Sequence, residues 1–276
     1  MGAPAVAAVV LMQIQSASPQ VPPPEVSPAR ETTRQLAQAV ANPLADLASL
    51  AFQFNWDTGV GPNHDLRTTL NIQPQVPIPL TQHLTLLSRF LLPFVSQPVL
   101  GTGSDPAFGF GDVLFSFFLT PRQAHPLIWA VGPTFGLPMT TDPRLGDGTW
   151  QAGPAGGAVF VKGSWQVGVV VTQLFPFADT GDRNRARVNH TSVLPLITYT
   201  TARLLTFTLQ SETTIDWIAN GDRRTTIPID LLVSRLRLGF LPLSVQLGGG
   251  LFLDTPSGGP DWRLRLTFVV VVPQRD

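Results

Sequence analysis

The sequence predicts an all-β fold: a transmembrane, antiparallel, up-and-down β-barrel of about twelve strands with a short N-terminal helix. Apolar and polar residues alternate in segments of about ten residues, the length that a tilted strand needs to cross a bilayer. Only 13% of the residues are charged and 43% are hydrophobic, yet no run of about eighteen apolar residues could form a helical span. A soluble barrel would carry its polar residues outside. The pattern therefore predicts apolar side chains facing lipid and polar side chains facing the lumen.

The connections between the predicted strands alternate in length. The strands are predicted at 46–57, 65–78, 82–96, 108–120, 127–139, 150–162, 165–176, 188–200, 203–217, 224–236, 241–253 and 261–272. Long loops rich in Gly, Pro, Asp or Arg (97–107, 140–149, 177–187 and 254–260) alternate with tight turns. Outer-membrane barrels have short periplasmic turns and longer outer loops, so an even strand number predicts both termini in the periplasm.

The positions of the tryptophans support a membrane-spanning barrel. Five of the six tryptophans fall near predicted strand ends: Trp56, Trp150, Trp165, Trp217 and Trp262. Indole rings favour the headgroup region, so this placement predicts an aromatic girdle. The alternative, tryptophans at the rim of a soluble sandwich, is less consistent with the inverted polarity.

The N-terminal 44 residues differ from the barrel. Residues 1–18 contain an apolar run followed by small residues and are predicted to be a signal peptide, although no Lys or Arg precedes the run. The alternative is a disordered Ala-rich terminus. Residues 19–44 form a Pro-rich arm with five prolines between 19 and 29, followed by a short helix near 31–40. The barrel is predicted to occupy residues 45–276.

Segments spread over about four fifths of the chain carry a family resemblance. They are 41–55, 70–77, 96–98, 108–112, 131–138, 145–154 and 258–268, the last containing Gly-Pro-Asp-Trp-Arg-Leu-Arg. These segments resemble a bacterial outer-membrane barrel transporter family labelled "MetA-pathway of phenol degradation" and often misnamed neuromedin U. The resemblance implies a single porin-like barrel in the outer membrane of a Gram-negative cell, recognised by the barrel assembly machinery. This chain departs from the family in its last strand, where Phe268 is the final aromatic residue.

Both signs of charge fall on the predicted lumen face. The lumen-lining residues are predicted to be Arg67, Asn71, Gln73, Arg89, Asp112, Gln210, Glu212, Asp216, Asp230, Arg263 and Arg265. Charges inside a narrow barrel need partners across it or bound water. They would either line a permeation path and set its ion preference, or form a salt-bridged filling that keeps the barrel shut. The sequence leaves both alternatives open.

These patterns predict a channel for the passive passage of small solutes, including hydrophobic or aromatic compounds. A non-conducting structural or adhesive surface barrel is one alternative, and a lipid-active outer-membrane enzyme is another. His190 and Ser192 have the spacing used by a twelve-stranded outer-membrane phospholipase class. The alternation and the family pattern place both in the lumen, whereas a lipid-cleaving site should face the membrane, so we predict no catalytic residues.

Composition limits the partners and cofactors. Eighteen basic and 18 acidic residues give zero net charge and no electrostatic case for nucleic acid. The chain has no cysteine, and its four histidines lie on different segments, so we predict no metal or cofactor site. The expected partners are membrane lipid, small-molecule solutes, the barrel assembly machinery and lipopolysaccharide. A loop containing Arg183, Arg185 and Arg187 is the candidate lipopolysaccharide contact.

Overall fold

A computed structural model describes residues 28–101, 105–122, 126–179, 189–219, 221 and 224–272. The segment predicted to be a signal peptide, most of the Pro-rich arm and the Arg183–Arg187 cluster lie outside the described residues. The chain begins with helix α1 (Pro28–Ala41), and a 3₁₀ turn spans Pro143–Leu145. The strands are β1 (Ser49–Val60), β2 (Asp65–Pro79), β3 (Leu84–Gln97), β4 (Ala107–Phe110), β5 (Val113–Pro121), β6 (Leu127–Leu137), β7 (Thr149–Lys162), β8 (Trp165–Asp179), β9 (His190–Thr200), β10 (Leu205–Gln210), β11 (Thr213–Asp216), β12 (Thr225–Arg237), β13 (Leu243–Asp254) and β14 (Trp262–Val271).

The strands form a closed antiparallel barrel of twelve strands. β4 and β5 both pair with β3, and β10 and β11 both pair with β9 and β12, so each of these two pairs of segments is one interrupted strand. The barrel closes where β14 pairs with β1, from Ser49 opposite Val271 to Thr58 opposite Trp262. The predicted fold and strand number are confirmed.

Two prolines explain why two of the strands are interrupted. Pro93 on β3 and Pro195 on β9 have no N–H to donate to a neighbouring strand. Their carbonyls still accept hydrogen bonds, from Gly111 N at 3.0 Å and Ser211 N at 3.2 Å. The ladder therefore stops at 111–112 and at 211–212, within the predicted strands 108–120 and 203–217. Two of the predicted lumen residues, Asp112 and Glu212, lie at these breaks.

The outer surface of the barrel is apolar. On β8, Val167, Val169 and Val171 are 38–50% exposed, whereas Gln166 and Val170, on the opposite face, are at most 9% exposed. Four tryptophans of the predicted girdle, at 150, 165, 217 and 262, are 42–53% exposed at or beside strand ends. This distribution matches a barrel whose outer face contacts lipid.

The polarity of the interior differs around the barrel. Inward residues of β12–β14, β1 and β2 are mainly Arg, Asp, Asn, Gln, Ser and Thr. The inward face of β3–β9 carries a buried cluster comprising Leu87, Phe118, Ala130, Ala155, Val159 and Val170, together with Leu44 of the N-terminal segment. The predicted polar lining is therefore joined along β3–β9 by apolar side chains, where the wall packs against Leu44.

The N-terminal segment enters the end of the barrel that carries the tight turns. Gln38 Nε2 donates to the Gly163 carbonyl at 2.8 Å, and Gln166 Nε2 donates to the Gln38 carbonyl at 3.0 Å. After the helix, Leu44 N donates to Asn42 Oδ1 at 2.9 Å, which turns the chain inward. The first strand begins at Ser49 and not at the predicted residue 46. Among the described residues, no helix is long and apolar enough to span a bilayer.

Candidate functional site: the lumen of the barrel

Three cavities follow one another along the lumen. The loop-side cavity has a volume of about 310 Å³, the central cavity about 470 Å³ and the helix-side cavity about 190 Å³. Leu145, Gly146 and Asp147 line both the loop-side and the central cavity. Four residues line both the central and the helix-side cavity: Arg89, Leu91, Leu194 and Glu212. We refer to these four residues as the junction.

The connection between β6 and β7 forms the wall between the loop-side and central cavities. The backbone N–H of Asp147 donates to the Asp112 carboxylate. The Asp147 carboxylate lies 3.0 Å from His190 Nε2 and accepts a hydrogen bond from Gln151 Nε2 at 3.1 Å. A Cβ at Gly146 would lie 2.4 Å from an Asp112 oxygen, so a larger residue here would displace the Asp112 carboxylate. These contacts hold the connection across the mouth of the barrel.

A second ion pair stabilises the same connection from within. Arg144 Nη2 lies 2.6 Å from Asp142 Oδ2, and Arg144 Nη1 donates to the Asp105 carbonyl at 2.9 Å. The hydrogen bond from its guanidinium to Asp142 raises the pKa of Arg144 above its ordinary value. Because this pair is exposed, we expect it to orient the loop more than to stabilise the fold.

Three strands meet at one buried carboxylate. Asp57 on β1 is 2% exposed and accepts hydrogen bonds from Arg263 Nε on β14 at 2.6 Å and from Arg67 Nη2 on β2 at 2.9 Å. These strands flank the seam where the barrel closes. The charge-assisted bonds therefore join the first two strands to the last one.

A second buried cluster surrounds Arg265 on β14. Its Nη1 lies 3.1 Å from the fully buried Asp230, and its Nε donates to Asn55 Oδ1 at 2.8 Å. Glu212 is more distant, with a carboxylate oxygen 3.7 Å from Arg265 Nη2. Most of the positive charge of Arg265 is therefore balanced by Asp230.

Arg89 differs from the other lumen arginines. Its Nη2 donates to Gln73 Oε1 at 3.0 Å, which is a bond to a neutral amide. In the described part of the chain, no carboxylate oxygen lies within 4.0 Å of its guanidinium. Arg89 lies at the junction, where it can present donors to both the central and the helix-side cavity.

The structure places the eleven residues predicted for the lumen in two groups. Eight line at least one cavity: Arg67, Asn71, Gln73, Arg89, Asp112, Gln210, Glu212 and Arg265. The other three, Asp216, Asp230 and Arg263, line none of these cavities. Asp230 and Arg263 belong to the buried ion pairs. Asp216 Oδ1 accepts a hydrogen bond from Asn189 N at 3.2 Å.

Sequence reasoning missed two kinds of lumen residue. Asp57 continues the polar row of Gln53 and Asn55 on β1, so the alternation alone could have identified it. Apolar lining residues such as Leu91 and Leu194 carried no comparable signal. The β3 sequence is apolar on both faces, and in such a strand a period of two does not distinguish lumen from lipid.

His190 and Ser192 both line the central cavity and do not face lipid. His190 Nε2 contacts Asp147, and among the hydrogen bonds of the described residues none joins Ser192 Oγ to the imidazole. A nucleophile needs a base within hydrogen-bond reach, and this geometry does not provide one. In the described part of the chain, no three His, Asp or Glu side chains converge as metal ligands.

Comparison with known proteins gives a structural likeness. No family model matches the sequence, and no curated protein matches it. An outer membrane channel from Pseudomonas putida F1 has a TM-score of 0.59 at 20% identity, with 82% of this chain and 96% of that chain covered. This chain shares the fold of that channel. An active-site mutant of outer membrane phospholipase A from Escherichia coli has a TM-score of 0.48 at 11% identity, covering 88% of this chain and 98% of that one.

Proposed function

We propose that the protein is an outer-membrane channel for the passive passage of small solutes, with α1, the tight turns and both termini on the periplasmic side. One observation carries the proposal: a closed barrel contains three cavities in series that share lining residues from one end to the other. A barrel that served only as a scaffold would have no need of a series of cavities along its interior. The proposal includes membership of the outer-membrane barrel family labelled "MetA-pathway of phenol degradation".

The apolar part of the lumen wall supports passage of solutes with a hydrophobic or aromatic part. Leu91, Phe118, Val170 and Leu174 line the central cavity on one side. Polar donors and acceptors lie in the same cavity, as is usual for sites that bind small amphipathic molecules. Membrane lipid would contact the outer apolar face, lipopolysaccharide would contact the long loops, and the barrel assembly machinery would insert the barrel.

The N-terminal segment is the proposed restriction at the periplasmic mouth. Leu44 is fully buried, and Gln75 Nε2 donates to the Ala45 and Leu47 carbonyls at 3.1 and 3.0 Å. Residues 39–43 and 47 line the helix-side cavity. A solute leaving this cavity would therefore meet the segment before it reached the periplasm.

Single-channel recording in planar bilayers tests both parts of the proposal. The full chain is compared with two deletions, of residues 19–41 and of residues 19–47. We expect discrete conductance from the full chain, a rise when α1 is removed, and a further rise when residues 42–47 are also removed. Since β1 begins at Ser49, the second deletion leaves every strand intact.

A matched control holds the segment in place without shortening the chain. Arg34 Nη1 lies 3.5 Å from Ser164 Oγ, and the chain has no native cysteine. Arg34→Cys with Ser164→Cys, joined by a short bis-maleimide, is expected to keep conductance at or below the unmodified level, and each single variant serves as the reagent control. If neither the full chain nor the deletions conduct, the non-conducting structural barrel is the correct function. Conductance that the deletions leave unchanged would exclude the restriction and retain the channel.

A further inference from the structure

The junction contains two charged side chains that lie outside the closest ion pairs of the lumen. Arg67 and Arg263 pair with Asp57, and Arg265 pairs with Asp230. In the described part of the chain, Arg89 has no carboxylate oxygen within 4.0 Å of its guanidinium, and Glu212 reaches only the edge of the Arg265 cluster, at 3.7 Å.

Glu212, like Arg89, takes no part in a close ion pair. Its carboxylate is 47% exposed within the barrel, and its one ion-pair contact in the described part of the chain is the 3.7 Å approach to Arg265. No hydrogen bond to its carboxylate occurs among the described residues. Arg89 and Glu212 are close enough to interact electrostatically but do not come within 4.0 Å of each other. The junction therefore presents one cation and one anion that are separated from each other.

Local structure keeps these two charges separate. Arg89 is held from the neighbouring strand β2 by the bond from its Nη2 to Gln73. Glu212 lies at the break between β10 and β11, where Pro195 on the neighbouring strand has no N–H to donate to the ladder. Charges inside a narrow barrel are costly without partners. Each of the two therefore has capacity for a further hydrogen-bonding partner that enters the lumen.

The wall beside these charges is apolar. Leu91 and Leu194 complete the junction, and the central cavity continues along Phe118, Val170 and Leu174. Its volume of about 470 Å³ is in the range of cavities that hold small organic ligands. A ligand that satisfies all three features needs a negative group, a positive group and an apolar group.

We propose that the junction binds a zwitterion with an apolar side group, the chemistry of a hydrophobic α-amino acid. The carboxylate would accept hydrogen bonds from Arg89, the ammonium would donate to Glu212, and the apolar group would lie along Leu91, Leu194 and Phe118. Because the two charged groups do not contact each other, a ligand between them could make one charge-assisted hydrogen bond to each. This inference rests on the proposed function in one respect, that solutes reach the lumen.

Equilibrium binding to the refolded full-length protein in detergent tests the inference without requiring conductance. Isothermal titration calorimetry compares L-phenylalanine with three analogues that each lack one feature: 3-phenylpropionate, phenethylamine and glycine. Because each charge-assisted hydrogen bond and the apolar contact contribute separately, we expect L-phenylalanine to bind about tenfold more tightly than each analogue. Equal affinities, or no saturable binding of L-phenylalanine, would overturn the inference and leave water as the partner of both charges.

Two variants assign the roles of the charged residues. Arg89→Gln should weaken L-phenylalanine binding about tenfold and leave phenethylamine unchanged, since only the carboxylate loses its partner. Glu212→Gln should weaken L-phenylalanine similarly and leave 3-phenylpropionate unchanged. Arg235→Gln removes an equivalent charge from the outer face of β12 and should change neither. A variant that affects all ligands equally contradicts the assignment.

The outcomes separate this site from the channel itself. If the wild type conducts salt but binds L-phenylalanine no more tightly than the three analogues, the zwitterion site is refuted and the channel is kept. Selective binding without conductance would keep the site and refute passive passage. Heat-modifiable gel mobility shows whether each variant has folded, and the wild-type comparison of the four ligands decides the question if a variant does not fold.

Discussion

Replacing Asp57 by Asn should weaken the seam where the barrel closes. The carboxylate accepts bonds from Arg263 at 2.6 and 3.2 Å and from Arg67 at 2.9 and 3.3 Å. The Asn side chain has nearly the same shape but carries one acceptor oxygen, and its amide group would turn N–H donors toward a guanidinium. Asp57→Asn therefore leaves two positive charges facing each other across β1 without their shared anion.

The burial of the three side chains sets the size of the effect. Asp57 is 2% exposed and Arg263 is 13% exposed, whereas Arg67 is 29% exposed and keeps some hydration. Breaking a buried ion pair costs about 3–5 kcal/mol. Because Arg67 can turn toward water, we expect about 3 kcal/mol of lost stability, the lower end of that range.

Urea unfolding in phospholipid vesicles measures this change. Tryptophan fluorescence follows the transition, since Trp56 on β1 and Trp262 on β14 flank the seam. Asp261→Asn is the control: Asp261 is 68% exposed and lies 3.8 Å from the 76% exposed His64, so its loss should stay within about 0.5 kcal/mol. If Asp57→Asn is as stable as the wild type, the reasoning that this carboxylate holds the seam is refuted.

Three further predictions follow from packing at other sites. Leu44→Ala removes a fully buried side chain from the apolar cluster, so limited proteolysis of the N-terminal segment should become faster while the urea midpoint of the barrel stays constant. Gly248→Ala would place a Cβ 2.1 Å from the Leu231 carbonyl oxygen and should cost about 1–3 kcal/mol in urea unfolding; an unchanged midpoint contradicts this. Asp147→Asn weakens the contact with His190, so single-channel conductance should increase, and a decrease would show that the loop does not restrict the mouth.

The sequence alone determined most of the strands and which face of each is apolar. Every second residue of a strand that faces lipid must be apolar, so the period of two in β8 and β14 was sufficient to predict both strands. The short helix was also predictable, because Asn42-Pro43 marks its end. The interruptions at Pro93 and Pro195 left a readable signal, since proline cannot donate to a ladder, but the prediction did not use it.

Only the tertiary structure decided which inward side chains meet. The stagger and tilt of the strands fix the pairing of Asp57 with Arg67 and Arg263, and these are properties of the closed sheet and not of one strand. The same holds for the apolar cluster inside the barrel, because Leu44 packs against a wall assembled from strands distant in sequence. Alternation tells which side of a strand faces the interior, and closure of the barrel determines what each interior residue contacts there.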